Sequence, residues 1–329
     1  ADNKTYKYTR EAVMVYQPGK LHQFTFNVQK SPETGDYEIT LTSATVTEWE
    51  NDSKSHNGEA REYLVIQLEE GQTLRKAIES RGLEPGKIIN LKVSGTFQGQ
   101  DDFNYIRDYM PNLEGLNMKD LRTKNIPYVI ENYDGKGNDD WRSADDFVAM
   151  SRVPNLHYVV FPDQMKGLAD FYEIPIMGSL VLPEGLWYIG RGAFGGYSST
   201  LLKGDLYLPS TLRYVGSRAF GEQSGSDKVF FFTNELVLPA KMDYLGDNAF
   251  TGCGYMTGTI RVPDGITELN NAWPEQIGGP LIIPQGVKTI NGIPRGTIGN
   301  VIVPEGVEAI GSYAFHAVAG LRNVTLPST

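Results

Sequence analysis

One short phrase recurs seven times in the second half of this 329-residue chain and limits the possible folds more than any other feature. It consists of an apolar residue, any residue, a second apolar residue and a proline, followed by further apolar positions at fixed distances. The prolines are Pro183, Pro209, Pro239, Pro263, Pro284, Pro304 and Pro327. They recur about every 20 to 30 residues, the length of one coil in a stacked solenoid. We therefore expect coils that bury their apolar sides against one another.

Each phrase reads as a short strand. In Leu206-Tyr207-Leu208, alternation turns the two leucines inward and the tyrosine outward, and Pro209 ends the strand because it has no N–H to donate. Four copies continue into Gly-x-x-Ala-Phe, which we call the arm; its small alanine allows close packing and its phenylalanine fills the space between coils. The four arms end at Phe194, Phe220, Phe250 and Phe315.

Two coils between Pro263 and Pro304, here called the short coils, lack this arm. They carry the runs 270–274 (Asn-Asn-Ala-Trp-Pro) and 291–294 (Asn-Gly-Ile-Pro) instead. Cys253, the only cysteine, follows the third arm and is interpreted as a small buried hydrophobic residue.

The first half of the chain has a different sequence pattern, in which helices are predicted to alternate with strands. Residues 73–81 read as a helix and 88–93 as a strand, so the solenoid is predicted to begin near residue 72. Segments 102–118 and 146–161 share Asp-Phe followed by Pro-Asn-Leu. Each is predicted to be a short helix feeding a strand, with Ser143 to Asp146 resembling a capping box.

Residues 1–70 contain alternating runs rich in Thr, Val and Tyr at 6–16, 21–29, 37–49 and 63–69, which predict a small antiparallel β-domain. The sequence thus predicts a mostly β protein. Residues 1–70 form the β-domain, and 71–329 form a solenoid with helix-containing turns over 71–165 and short β-type turns over 166–329.

The repeated phrase with its arm, carried by residues 180–194, 206–220, 236–250 and 301–315, resembles the BspA-like leucine-rich-repeat family of bacterial surface proteins. The lead-in at 95–107 is also similar to that family. The resemblance implies a leucine-rich-repeat solenoid, export, anchoring as an outer-membrane lipoprotein, and binding to host or bacterial surface components, with some members acting as adhesins. A start at Ala1 fits a trimmed mature or expressed form. The end, partway into a repeat, leaves open a truncation or an edge covered by another chain.

Composition excludes several classes. The net charge of −10, with no basic cluster, argues against nucleic-acid binding, and no apolar run approaches the length of a membrane span. The histidines His22, His56, His157 and His316 are far apart and match no catalytic or zinc motif. The loop 132–140 offers oxygen ligands, but Lys136 takes the place of one, so a solvated loop is favoured over a calcium site. We predict no catalytic residues, no metal and no cofactor.

The outward positions form two columns. The strand-face column, between the two apolar residues of each phrase, contains Val181, Tyr207, Val237, Arg261, Ile282, Ile302 and Thr325. The tyrosine column, before the Ile-Gly step, contains Tyr188, Tyr214, Tyr244, Glu268, Thr289 and Ala309. Three stacked tyrosines, with Trp187 beside the first, either stabilise the solenoid alone or form an aromatic platform that recognises a partner.

The predicted ligand-binding face consists of Trp187, Tyr188, Tyr207, Tyr214, Tyr244, Val237, Arg261, Ile282 and Ile302. We expect a non-enzymatic, exported surface protein that binds an extracellular protein or glycoprotein, such as one of the host matrix. The alternative is a carbohydrate-binding component of surface glycan capture that uses the same tyrosines. A third interpretation is a purely structural spacer.

Overall fold

The computed structural model of the chain describes residues 20–30, 37–48, 63–131, 139–195, 202–221, 231–232, 236–253, 255–256, 258–274, 276–297 and 299–328. The chain divides into two compact units, Ala1–Lys54 and Ser55–Thr329. In the first unit, β1 (Lys20–Lys30) and β2 (Tyr37–Glu48) pair in antiparallel fashion, with Lys20 opposite Glu48. This confirms the strands predicted at 21–29 and 37–49. The strand predicted at 6–16 lies outside the described residues.

The second unit begins with a parallel strand pair. β3 (Leu64–Gln67) lies beside β4 (Asn90–Phe97) in parallel, with Leu64 opposite Leu91. The assignment of 63–69 to the antiparallel domain is therefore wrong, because alternation fixes which side chains are buried but not which strand is the neighbour. The crossover contains α1 (Leu74–Glu79), whose N-cap Thr73 accepts a hydrogen bond from Lys76 N, so the predicted helix is confirmed.

The two similar Asp-Phe segments fold differently. In the first, α2 (Gln100–Tyr109) leads to β5 (Gly115–Asn117), as predicted. In the second, the predicted helix is wrong. Residues 140–144 form a strand and Asp146 has a φ of 61°, which turns the chain into the next strand. Buried Asp146 accepts hydrogen bonds from Arg122 at 2.6 and 2.7 Å, so a tertiary contact replaces the expected helix cap.

The remaining strands of this half are short. They are β6 (Leu121–Thr123), β7 (Ile126–Ile130), β8 (Asp140–Ala144), β9 (Phe147–Ala149), β10 (Tyr158–Val160) and β11 (Gly167–Asp170). β5 pairs in parallel with β4 and β10. β7 and β8 form an antiparallel hairpin, with Tyr128 opposite Arg142.

The repeated coils supply two sets of short parallel strands. The strands at and around the proline phrase are β12 (Gly178–Val181), β14 (Leu202–Tyr207), β16 (Phe231–Phe232), β18 (Tyr255–Met256), β19 (Ile260–Arg261), β21 (Gln276–Ile277), β22 (Leu281–Ile282), β24 (Gly299–Ile302) and β26 (Leu321–Thr325). Those at the tyrosine column are β13 (Tyr188–Ile189), β15 (Tyr214–Val215), β17 (Tyr244–Leu245), β20 (Glu268–Leu269), β23 (Thr289–Ile290) and β25 (Ala309–Ile310).

Neighbouring coils are linked strand to strand, in the sheet orders β9–β11–β13–β15–β17 and β20–β23–β25. The expected mostly β solenoid with few helices is confirmed. Among the seven proline phrases, the one at 236–239 differs because it forms no regular strand.

The arms pack as the sequence indicates. Phe194, Phe220 and Phe250 stack in the core with ring centroids 4.9 and 5.3 Å apart. In the short coils, the buried residues Trp273 and Ile293 occupy the positions that correspond to the arm phenylalanines. Backbone hydrogen bonds from Phe250 N to Ala272 O and from Ile293 N to Ala314 O join these segments to the neighbouring arms. Cys253 is fully buried, and burial raises the pKa of its thiol, which disfavours the reactive thiolate.

Candidate functional site

The tyrosine column is a continuous stack. Tyr188 pairs with Tyr214 and Tyr214 with Tyr244 across the parallel strands β13, β15 and β17. Their ring centroids are 4.9 and 4.6 Å apart, with interplanar angles of 22° and 17°. The strand pairing fixes the ring spacing, so the repeat sequence alone is sufficient to build this stack.

The β7–β8 hairpin, however, covers the stack. Tyr188 OH donates a hydrogen bond to Val129 O, Glu131 N donates to Tyr214 OH at 2.8 Å, and Tyr244 OH donates to the Glu131 carboxylate at 2.9 Å. Tyr188 has no exposed surface and Tyr214 is 6% exposed. The expectation that all three rings face solvent is therefore wrong for Tyr188 and Tyr214, while Tyr244 is half-buried.

Glu131 is the centre of this covered region. Its carboxylate accepts hydrogen bonds from Arg191 Nε at 2.6 Å, from Ser217 N at 3.0 Å and from Ser217 Oγ at 2.8 Å, besides that from Tyr244. A buried carboxylate is tolerated only when it is paired and hydrogen-bonded. Arg191 also pairs with Asp139 at 3.0 Å, on the far side of the hairpin loop.

Burial raises the pKa of all three tyrosine hydroxyls above the ordinary value. They stay protonated at neutral pH, so Tyr188 and Tyr244 can donate to the hairpin as observed. Trp187 is half-buried, with its ring in edge contact with Tyr128 and Phe147. This aromatic group therefore fastens the hairpin to the solenoid.

Sequence reasoning missed the hairpin and Glu131. The available signal was the alternation of 126–130, followed by the Gly- and Asn-rich loop 132–138 and a second run at 139–144. By its composition alone, that loop indicates a solvated segment and gives no sign of what the flanking strands cover. Residues 132–138 lie outside the described residues, whereas Asp139 and Asp140 contact Arg191 and Arg142.

The strand-face column is open. Its side chains Tyr207, Val237, Arg261, Ile282, Ile302 and Thr325 are exposed, and Val181 is half-buried. The flanking residues point inward: Val301 and Val303 are buried on either side of Ile302, which is 66% exposed. Register places Val181 beside Tyr207, Arg261 beside Ile282 and Ile302 beside Thr325. Within the predicted face, register therefore pairs Arg261 with Ile282, whereas Tyr188 and Tyr214 are buried on other strands.

The described part of the chain contains no group of three or more His, Cys, Asp or Glu side chains that could hold a metal ion. His157 Nδ1 lies 2.9 Å from Pro175 O, and His316 packs edge-on against Tyr313. The side chains of His22 and His56 lie outside the described residues. Among the helices that the structure describes, none is long and apolar enough to cross a membrane.

Parallel coils with buried apolar positions and an open strand face define a solenoid of the leucine-rich-repeat class. A family model for the BspA type leucine-rich repeat region matches residues 226–276 and 295–329, in six copies. The chain therefore contains BspA-type leucine-rich repeats, as the sequence resemblance indicated. The coils at 178–221, upstream of these matches, continue the same parallel sheets. No curated protein matches the chain.

BspA-type repeats are associated with surface proteins and with protein–protein interaction. Solenoids of this kind are typically non-enzymatic. These statements describe the repeat type, and the partner of this chain has to be argued from its own surface.

Proposed function

We propose that this chain is a non-enzymatic protein-binding module, and that it binds its partner through the strand-face column. The observation that carries the proposal is the exposure of large apolar side chains on consecutive coils: Val237 is 69% exposed, Ile302 66%, Tyr207 39% and Ile282 37%. Contiguous apolar surface on a globular protein marks contact sites more often than chance exposure does.

The chemistry of the column fits a protein surface. Arg261 lies in register with Ile282, so a cationic side chain interrupts the apolar run. Arginine and tyrosine are both enriched where proteins bind proteins, because each combines a broad contact area with directional hydrogen bonds. Apart from Val237, the members of the proposed interface lie on paired strands, which hold their side chains at fixed spacing before a partner arrives.

The tyrosine column is not part of this proposed surface. Tyr188 and Tyr214 are covered by the hairpin, and their hydroxyls are engaged by Val129 and Glu131. The same cover removes the stacking platform on which the carbohydrate-binding alternative depended, since sugar rings need open aromatic faces. We therefore place the proposed interface on Tyr207, Val237, Arg261, Ile282 and Ile302.

We further infer export and display at the cell surface as a lipoprotein, with an adhesive role toward extracellular or host-matrix proteins. The support is the repeat type and its association with surface proteins. Treating intact producing cells with a membrane-impermeant biotinylation reagent tests this inference. Labelling of the protein in whole cells is the expected result, and labelling only after lysis would contradict it.

Binding to immobilised matrix glycoproteins and to free oligosaccharides, measured by surface plasmon resonance, tests the interface. The variant Val237→Lys with Ile282→Lys and Ile302→Lys should lose at least tenfold in affinity for the glycoprotein it binds. The matched control is Val65→Lys, which alters a residue 62% exposed on β3. Equal binding by both variants, or binding to free oligosaccharides alone, would overturn the proposed interface.

A further inference from the structure

The solenoid has a cleft of about 420 Å³ where the two short coils lie between full arms. The short coils follow the course of the arm only briefly, because Pro274 and Pro294 come directly after Trp273 and Ile293. Proline has no N–H with which to continue the hydrogen-bonded ladder. The cleft therefore occupies the place that two further arms would fill.

The cleft has an apolar floor and a polar wall. Trp273, Pro274, Ile293 and Pro294 line it and are buried. The preceding arm contributes Asn248 and Thr251 to the lining, and the following arm contributes Tyr313 and His316. Tyr313 is 75% exposed and meets His316 edge to face, with ring centroids 5.7 Å apart.

Among the described residues that line the cleft, the charged side chain is a cation. Arg295 is exposed and lines the cleft, and the described lining contains no Asp or Glu, although the chain has a net charge of −10. The described residues form no ion pair with Arg295. A free guanidinium presents paired N–H donors that match the two oxygens of a carboxylate.

Trp273 adds an independent observation. Its side chain is 3% exposed, and among the described residues its Nε1–H has no hydrogen-bond acceptor. A buried donor without an acceptor destabilises the protein, and such groups are rare. The nitrogen is closed to solvent as it stands, so an acceptor in the cleft would reach it only if the indole shifted.

We propose that this cleft binds an acidic side chain of a peptide segment, with Arg295 pairing with its carboxylate and an adjacent apolar side chain lying on the Trp273–Ile293 floor. The volume is near the lower end of ligand sites and suits one or two side chains. The apolar floor favours a peptide over an acidic sugar, which would need more polar partners. This site is separate from the strand-face column.

The test uses isotope-labelled full-length protein, with the Trp273 indole N–H signal assigned by Trp273→Phe and followed by NMR at physiological salt. The probe is the blocked peptide acetyl-Gly-Glu-Phe-Glu-Gly-amide. The comparison peptides replace both glutamates by glutamine or by lysine, and free glucuronate serves as the acidic sugar. We expect only the glutamate peptide to shift the Trp273 signal in a saturable way.

Two variants carry the same loss of charge. Arg295→Gln should weaken binding of the glutamate peptide at least tenfold, whereas Arg322→Gln, an exposed arginine outside the cleft lining, should change it less than twofold. Tyr313→Ala, which removes an exposed ring, should weaken it severalfold. Melting temperatures of all three variants show whether the fold is retained, and variants of the strand-face column should bind the peptide normally.

Several outcomes would overturn the proposal. Equal binding of the glutamine peptide would show that charge plays no part. An equal loss in Arg295→Gln and Arg322→Gln would indicate unspecific electrostatic attraction. A shift with glucuronate but not with the glutamate peptide would assign the cleft to an acidic sugar, and no shift with any probe would leave it without an anionic ligand.

Discussion

The first three coils with full arms and the short coils have the same backbone plan but opposite surfaces at the tyrosine column. In these three coils, Tyr188, Tyr214 and Tyr244 form an aromatic stack that the β7–β8 hairpin covers. In the short coils the equivalent positions are Glu268 and Thr289, and Asn291 Nδ2 donates to the Glu268 carboxylate at 2.7 Å. A stacked aromatic column gains from being covered, whereas a polar column is already satisfied by its neighbours and by water.

The difference shows how a repeat protein acquires distinct surfaces without changing its scaffold. Parallel pairing fixes the spacing of the side chains in every column. The residue type at the column position then decides whether another segment of the chain packs over that column. The same logic applies to the arms, because omitting two of them opens the cleft beside Trp273. Distinct surfaces in such a fold therefore arise from departures from the repeat.

We expect the largest loss of stability from a substitution of Glu131, which is at the centre of the contacts between the β7–β8 hairpin and the tyrosine column. Glu131→Ala should lower the free energy of unfolding by about 3 kcal/mol, because Ser217, Tyr244 and Arg191 lose a shared acceptor. Urea denaturation measures it. Glu308→Ala, which removes an exposed pair with Lys288 near the short coils, should cost less than about 0.5 kcal/mol. Similar losses in both would mean that the hairpin does not depend on Glu131.

The next effect is on the pH dependence of stability. Burial raises the pKa of the Asp170 carboxyl to about 7, and Arg152 offsets this only in part. An unfolded aspartate titrates near 3.9, so between about pH 4 and 7 the folded state binds the proton more strongly, and stability falls as pH rises. We expect a decrease of roughly 2 to 4 kcal/mol across that range.

Asp170→Asn should remove this slope, since the amide is neutral throughout. Thermal melts at half-unit pH steps check it. Glu268→Gln, an exposed acid of the short coils, should keep the wild-type slope. An unchanged slope in Asp170→Asn would assign the dependence to another group.

A third comparison concerns two glycines that lie just after strands of the tyrosine column, Gly246 after β17 and Gly292 after β23. A Cβ at Gly246 would collide with the Ser217 amide nitrogen and lie 2.7 Å from Gly216 C, both backbone atoms of the neighbouring coil. In the short coils, a Cβ at Gly292 would meet chiefly the Asn271 side-chain oxygen. Gly246→Ala should therefore cost about 1 to 3 kcal/mol and Gly292→Ala less than about 1, measured by urea denaturation. A larger loss of stability in Gly292→Ala than in Gly246→Ala would contradict this prediction and show that the neighbouring coils can move apart to accept a Cβ at Gly246.

The smallest effect tests one hydrogen bond. Tyr244→Phe keeps the ring stack but removes the hydroxyl that donates to Glu131, so it should cost about 1 kcal/mol. Thr289→Val, the matching hydroxyl deletion in the short coils, should stay within about 0.5 kcal/mol. Differential scanning calorimetry resolves the pair, and a loss in Thr289→Val as large as that in Tyr244→Phe would remove the contrast between the two columns.

Sequence reasoning succeeded where the information is local. The alternation in Val301-Ile302-Val303 separates buried from exposed positions, and the Ala-Phe phrase fixes the stacked core of Phe194, Phe220 and Phe250. It failed where two segments look alike. Asp102 and Asp146 share a motif, yet Asp102 accepts from Leu74 N and Gln98 N at the start of a helix, whereas Asp146 pairs with Arg122 in a turn.

The sequence by itself determined the solenoid, its coil length, and which positions form the strand-face and tyrosine columns. These follow from periodicity, since each coil repeats the same backbone geometry and spaces its side chains accordingly. Only the tertiary structure decided that the tyrosines are covered, because Glu131 lies 113 residues before Tyr244 in the chain. Residues so far apart meet only once the coils have stacked, and no local pattern encodes which surface a distant hairpin will bury.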